Sequence, residues 1–137
     1  TVEDLSGLEE LSAPIRDIAD LGGLEYAVKL RSLNLYRNRI TDLSPLSGLA
    51  GLEVLILSDN DITDISPLGE LAKLRELNLA ENRIRDLAMV QWEKLASLEK
   101  LDLRYNYLRL SDPDTAGILK ALRQAGVDLQ VEPTYYD

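Results

Sequence analysis

The sequence predicts an α/β solenoid of stacked coils, and three observations carry that prediction. Asn38, Asn60 and Asn82 lie 22 residues apart, with Asn106 following after 24. Leu33, Leu55 and Leu77 keep the same spacing, as do Leu35, Leu57 and Leu79, and Leu101 and Leu103 extend both columns. Leucine supplies 29 of the 137 residues and phenylalanine none, so one packing environment is used repeatedly. Self-similarity at a fixed period of roughly 20–50 residues marks repeat architectures. A single coil cannot bury its own leucines, whereas a stack of coils encloses a continuous core.

The elements follow in chain order. Residues 1–7 give little, although Leu5 falls in the column of Leu49, Leu71 and Leu95. Residues 8–29 read as a degenerate first coil: sliding 22 residues back from Leu30, Leu33, Ile40 and Leu43 lands on Leu8, Leu11, Ile18 and Leu21. Arg16 stands where the asparagine would be, shortly after Pro14. Four regular repeats then fill 30–110: LRSLNLYRNRI (30–40), LEVLILSDNDI (52–62), LRELNLAENRI (74–84) and LEKLDLRYNYL (98–108). The alternation of L-x-L is strand periodicity. Each coil therefore contributes one short strand, parallel to its neighbours and about 4.8 Å from them.

The returns TDLSPLSGLAG and TDISPLGELAK are too short for a full helix. Pro45 and Pro67 suit the first position of a helical turn, with Ser44 or Ser66 as its cap. The third return is two residues longer and lacks proline, so residues 86–98 are expected to form a true helical turn or two, with Trp92 packed partly against its neighbours. Residues 111–131 predict a C-terminal cap. Ser111 or Asp112 starts a helix, Pro113 lies near its first turn, Ile118, Leu119 and Leu122 share a face, and Gly126 stops it. VDLQV (127–131) then alternates as a strand, and 132–137 reads as a frayed tail. The whole chain, 1–137, is expected to be one domain.

The asparagine column has a physical task. A tight coil leaves inward-pointing backbone N–H and C=O groups that no strand can pair, and a buried amide side chain has donors and an acceptor for them. Asn38, Asn60, Asn82 and Asn106 are thus expected to form a structural ladder between coils.

Composition narrows the function. Lys and Arg number 15 against 24 Asp and Glu, a net charge of -9. Such a surface repels phosphate backbones and anionic membranes, which argues against nucleic-acid partners. Cysteine and histidine are both absent. Disulfides, thiolate nucleophiles and Cys-based zinc sites go with the first, and the commonest general base and metal ligand with the second. No apolar run approaches the roughly 18 residues of a membrane-spanning helix. The chain shows no signal peptide and begins at Thr1, which fits a mature chain or an excised fragment.

LxxLxLxxNxI repeated at 22 residues and joined by TDLSPL and TDISPL resembles the leucine-rich repeat family, in the internalin type found in bacterial surface proteins. The resemblance covers about residues 8–110. It implies a right-handed superhelix with a parallel sheet on its concave face, short 3-10 or turn-like returns, and a non-catalytic recognition scaffold, in many members secreted or surface-attached. The distinct helical N-terminal cap and the C-terminal modules usual in internalins are not evident, so a specific adhesion is not carried over.

In that architecture the side chains between and just after the strand leucines face outward from the sheet: Glu10, Ser12, Pro14 and Ile15, and their equivalents in later coils, among them Ser58 and Ala80. Partner-binding residues are expected among Tyr36, Arg37, Val54, Ile56, Asp59, Glu81, Arg104 and Tyr105. Tyr and Arg are types enriched at binding hot spots, and Val54 with Ile56 places an apolar spot near the centre. The competing reading is that they are strand formers covering their neighbours.

Chemical motifs are weak. SDNDITD (58–64) puts Asp59, Asp61, Thr63 and Glu70 at calcium-loop spacing, but Asp64 occupies the position that needs glycine. Asp20, Asp42, Asp64 and Asp86 form a carboxylate column that reads as caps of the returns. No phosphate loop or nucleophile elbow occurs. The sequence therefore predicts no enzyme, no metal and no cofactor. It predicts a monomeric module that binds a protein or peptide, without membrane insertion, secreted or at a bacterial cell surface and otherwise cytoplasmic. The alternative is a structural spacer, or an idealised repeat scaffold without a ligand.

Overall fold

The computed structural model describes residues 2–135. Six strands form one parallel sheet in chain order: β1 (Glu10–Ser12), β2 (Ser32–Asn34), β3 (Val54–Ile56), β4 (Glu76–Asn78), β5 (Lys100–Asp102) and β6 (Asp128–Gln130). The register follows the repeat, with Leu11, Leu33, Leu55, Leu77, Leu101 and Leu129 aligned across the sheet. Each return carries a three-residue 3-10 turn: Leu24–Tyr26, Ser44–Leu46, Ser66–Leu68 and Trp92–Lys94. The third return thus holds no longer helix than the others. Its extra residues go into a bend at 87–90, and Trp92 is buried, donating from Nε1 to the Leu87 carbonyl at 2.8 Å.

The leucine columns point inward and are closed to solvent from Leu30 to Leu108, with Ile40, Ile62 and Ile84 in one file. The core is continuous because each coil presents the same side chain to the same gap in its neighbour. Its two ends differ. At the N-terminus Leu8, Leu11, Ala13 and Ile18 are only partly buried. A five-residue helix, α1 (Val2–Ser6), precedes them where no element is expected from the sequence, and the Leu5 carbonyl accepts from Leu8 N as Leu49 and Leu71 do from Leu52 and Leu74.

At the C-terminus α2 (Pro113–Gln124) replaces the 3-10 turn as the return, and Leu119, Leu122, Val127 and Val131 seal the core. Asp112 is the cap, accepting from Thr115 N at 3.0 Å. Gly126 takes φ 89°, while Val127 N reaches the Leu122 carbonyl and Gly126 N the Arg123 carbonyl, the Schellman arrangement. The segment after β6 is not a frayed tail through Tyr135. Tyr105 N donates to the Pro133 carbonyl at 2.6 Å and Tyr135 N to the Asn106 carbonyl at 2.7 Å, so the chain continues the coil-to-coil bonding. Residues 136 and 137 of the expected tail lie outside the described residues.

Four asparagines occupy one position in successive coils. Asn60 accepts from Ile40 N at 3.0 Å and donates to the carbonyls of Leu35 and Leu57 at 3.1 and 3.0 Å. Asn82 and Asn106 repeat this with Ile62, Leu57 and Leu79, and with Ile84, Leu79 and Leu103. Asn38 serves the first coil, accepting from Arg16 N and Ile18 N and donating to the Ala13 and Leu35 carbonyls. Each side chain joins its own coil to the preceding one.

The returns are capped by aspartate rather than by Ser44 and Ser66, which are the first residues of their turns. Asp20, Asp42, Asp64 and Asp86 accept from the backbone N–H two residues on, at 2.8–2.9 Å. Ser44 and Ser66 instead start their turns and donate their backbone N–H to Asp42 and Asp64.

Charges along the strand entries alternate by coil: Glu9, Arg31, Glu53, Arg75, Glu99. Arg31 meets Glu53 at 2.8 Å, and Arg75 lies 3.9 Å from both Glu53 and Glu99. A second stripe alternates after the asparagines, with Arg39–Asp17 at 2.9 Å and Arg83–Asp61 at 3.6 Å. Exposed pairs contribute only about 0–1 kcal/mol each. They favour one coil order more than they add stability.

Leu55→Ala or Leu77→Ala is expected to cost about 2–5 kcal/mol in urea unfolding, because the stacked core cannot collapse around the gap, whereas Ser32→Ala changes little. Asn60→Ala strands the Ile40 N–H, while the Leu35 carbonyl keeps its bond from Asn38, and should cost about 1–3 kcal/mol.

The ionised carboxyl of Asp42 accepts from the Ser44 backbone N–H and then its hydroxyl, and that of Asp64 from the Ser66 hydroxyl and then its N–H, which holds both below the usual aspartate range. Arg31 does the same for Glu53. Carboxyls depressed in the folded state stabilise it fully above their unfolded values of about 4, and that stability is lost as pH falls through the folded ones. The urea midpoint should therefore fall as pH drops from 5 to 2.5, and less steeply in Asp42→Asn/Asp64→Asn.

Candidate functional site

The open face of the sheet is built by the alternation that fills the core. In each strand the middle leucine points inward, so the residues on either side point out. Two side-chain columns cross the strands: Glu10, Ser32, Val54, Glu76, Lys100 and Asp128, then Ser12, Asn34, Ile56, Asn78, Asp102 and Gln130. Helix α2 packs against β6, and among the described residues nothing packs extensively over β2–β5. Parallel sheets are ordinarily covered on both faces, so this exposed one stands out.

The second column has fixed side chains. Asn34 Oδ1 accepts from Tyr36 N and Asn78 Oδ1 from Ala80 N, each at 3.0 Å, and Asp102 Oδ1 accepts likewise from Arg104 N. These are Asx turns, in which a short polar side chain holds a backbone N–H two residues on. They orient the two amides so that the carbonyl is occupied and the NH2 group is turned away from that bond.

Beyond the strands the chain turns sharply before each asparagine. Ile15, Arg37, Asp59, Glu81 and Tyr105 all adopt the left-handed conformation, with φ between 55° and 61°. This conformation is unfavourable for side chains other than Gly, Asn and Asp, most of all for a β-branched one. Ile15 is nonetheless 64% exposed. Only Asp59 is of a type that tolerates this conformation readily, so residue types alone do not mark the column.

The predicted site residues are distributed as follows. Val54 and Ile56 stand side by side on β3, half-buried, between Ser32 and Asn34 on one side and Glu76 and Asn78 on the other. Tyr36 is 37% exposed and Tyr105 36%. Three strand spacings, about 14 Å, separate their coils. Arg37 and Asp59 are brought together at 3.7 Å. Arg104 is held by Asp102 at 2.7 Å, which raises its pKa further. Glu81 is exposed in the turn column. Ser58 and Ala80, expected to face outward, are instead buried, since both are small and lie in a column flanked by Tyr36 and Arg104.

Sequence reasoning missed an aromatic cluster at the C-terminal end. Tyr135 packs on Tyr107 with ring centroids 5.3 Å apart and on Tyr105 at 5.9 Å, and the Arg85 guanidinium lies 5.8 Å from the Tyr107 ring. The run YNY (105–107) was a visible signal, but its partner lies in a segment read as a tail. A shallow depression of about 280 Å3 over β3–β6 is lined by Ile56, Asn78, Lys100, Asp102, Arg104 and Gln130. Among the described residues no cluster of Asp or Glu is arranged to hold a metal, and no helix is long and apolar enough to cross a membrane. Asp59 and Asp61 of the calcium-like run instead face Arg37 and Arg83.

Two family models match the chain: leucine rich repeats (2 copies) over residues 28–70 and 50–92, and leucine rich repeat over residues 72–124. Comparison with curated proteins finds no match. Among solved structures, an internalin (inlF) from Listeria monocytogenes is similar at 25% identity and TM-score 0.64, over 98% of this chain and 57% of that one. InlP of Listeria monocytogenes is similar at 28% identity and TM-score 0.63, over 74% of this chain and 29% of that one. A leucine-rich repeat protein of Leptospira interrogans shares the fold at 24% identity and TM-score 0.70, over 94% of this chain and 39% of that one. The chain thus spans little more than half of the first of these structures and less of the others.

Proposed function

The chain belongs to the leucine-rich repeat family, with an internalin-like repeat, and from that premise we propose that it is a recognition module binding a protein or peptide on the open face of its sheet. The fold commonly mediates protein–protein interaction, and its relatives are typically not enzymes. One observation carries the proposal. A parallel sheet that would ordinarily be covered presents half-exposed Val54, Ile56, Tyr36 and Tyr105, with nothing among the described residues packed extensively across β2–β5.

Val54 and Ile56 supply the apolar centre, and Tyr36 and Tyr105 flank it. Arg37, Asp59, Glu81 and Arg104 form a polar rim of the kind that selects partners and steers encounter. Similarity to Listeria internalins supports a place outside a bacterial cell, secreted or on its surface. A ligand-free spacer remains the competing reading, and one comparison separates the two. The chain and its Tyr36→Ala/Ile56→Arg variant are immobilised side by side and offered extracellular proteins. Proteins held by the parent and lost from the variant, at an unchanged thermal midpoint, are the expected result. Equal retention would place binding elsewhere, and no retention by either would favour the spacer.

A further inference from the structure

The open face carries a spacing that its repeat does not require. Asn34, Asn78 and Gln130 sit on β2, β4 and β6 in one column, so an amide side chain recurs on every second strand. The bonds to Tyr36 N and Ala80 N fix the carbonyl ends of Asn34 and Asn78, which leaves their NH2 groups as positioned donors. Ile56 lies between those two donors on β3.

Strands are about 4.8 Å apart, so donors on alternate strands repeat at about 9.6 Å. A ligand lying across the strands must offer carbonyl acceptors at that interval. An extended β-strand repeats every two residues, about 6.7 Å, and falls out of step. An α-helix uses its carbonyls internally. A polyproline II helix rises about 3.1 Å per residue with three residues per turn, repeats at about 9.3 Å, and leaves every carbonyl free. Its apolar proline rings suit Ile56 and the flanking Tyr36.

Charge adds a second constraint. Arg37–Asp59, Lys100–Glu76 and Arg104–Asp102 are paired, at 3.7, 3.8 and 2.7 Å. With Glu10, Glu81 and Asp128 added, carboxylates on this side outnumber Arg37, Lys100 and Arg104, an excess of negative charge even though Arg31 lies near Glu10 and Arg104 near Glu81. We infer that the open face binds a proline-rich, basic peptide in the polyproline II conformation, laid across the strands, with successive turns accepting hydrogen bonds from Asn34 and Asn78. This inference rests on the sheet-face reading above and names its ligand class.

The test uses a peptide of four Lys-Pro-Pro repeats, with four Lys-Gly-Gly repeats as a flexible control of equal charge and four Lys-Ser-Val repeats as an extended one. Binding is followed on the 15N-labelled chain. The Lys-Pro-Pro peptide should move the side-chain NH2 resonances of Asn34 and Asn78, and the flexible control should bind much more weakly. Asn34→Asp/Asn78→Asp keeps both Asx turns, as Asp102 already shows, and exchanges the donors for two carboxylates. It should bind the Lys-Pro-Pro peptide about ten-fold more weakly, although its added negative charge attracts a basic ligand. Unchanged or tighter binding by that variant would overturn the inference. If only the Lys-Ser-Val peptide moves the sheet resonances, the ligand class is wrong and the sheet-face reading stands. Shifts confined to α2 or the returns would sink both. No response to any of the three peptides would overturn the polyproline ligand and leave the sheet face to the capture comparison.

Discussion

The constraint beneath this fold is the polar backbone inside a bend. A chain that turns once per coil carries N–H and C=O groups into an apolar interior, where strand pairing cannot reach them and an unmet group costs about 1–3 kcal/mol. Asparagine resolves this because a single planar amide accepts on one side and donates on the other. Asn60 thereby meets Ile40 and Leu35 of the previous coil and Leu57 of its own. The leucine columns supply the driving force for stacking, but the amides decide where each bend falls. The first coil shows the dependence from the other side. It has Arg16 at that position, and the amide that serves its bend is Asn38 of the next coil, which accepts from both Arg16 N and Ile18 N and donates to the Ala13 carbonyl.

That arrangement determines what the molecule offers its surroundings. Because bends and returns are closed by their own asparagines and aspartates, the strands are left free to display variable residues without affecting the interior. The sheet is thin, three residues per strand, and each coil adds two outward side chains at fixed spacing. Recognition by such a surface is a matter of intervals across strands as much as of residue types. The turn column from Ile15 to Tyr105 adds a strained rim that only the surrounding bonds maintain.

The fold was largely legible because its information is periodic. Four copies of one pattern yielded strand positions, register and the inward columns, and the cap residue Asp112 with Pro113 and Gly126 marked the C-terminal helix. Where a single residue decides, legibility fell. Nothing about Ser44 or Asp42 alone says which caps the return; the answer depends on the Asp42 side chain reaching the Ser44 N–H, a distance and not a residue preference. The longer third return looked helical by length, yet Trp92 needs the Leu87 carbonyl and the bend before it takes up the extra residues. Tyr135 was invisible as a packing residue because its partners, Tyr105 and Tyr107, lie one coil earlier. On the open face, outward direction was readable from alternation, but burial of Ser58 and Ala80 depended on the bulk of their neighbours.

The charge stripes carry a separate message. Leucine and asparagine repeat with every coil, whereas Glu9, Arg31, Glu53, Arg75 and Glu99 repeat with every second one, as do Asn34 and Asn78. The genetic unit that can be copied without discord is therefore a pair of coils, about twice the visible period. Duplicating one coil would leave the hydrophobic stack intact but set glutamate beside glutamate along one flank and shift the amides on the sheet out of alternation. Growth or shrinkage of this lineage by even steps keeps both patterns in phase, and odd steps break parity.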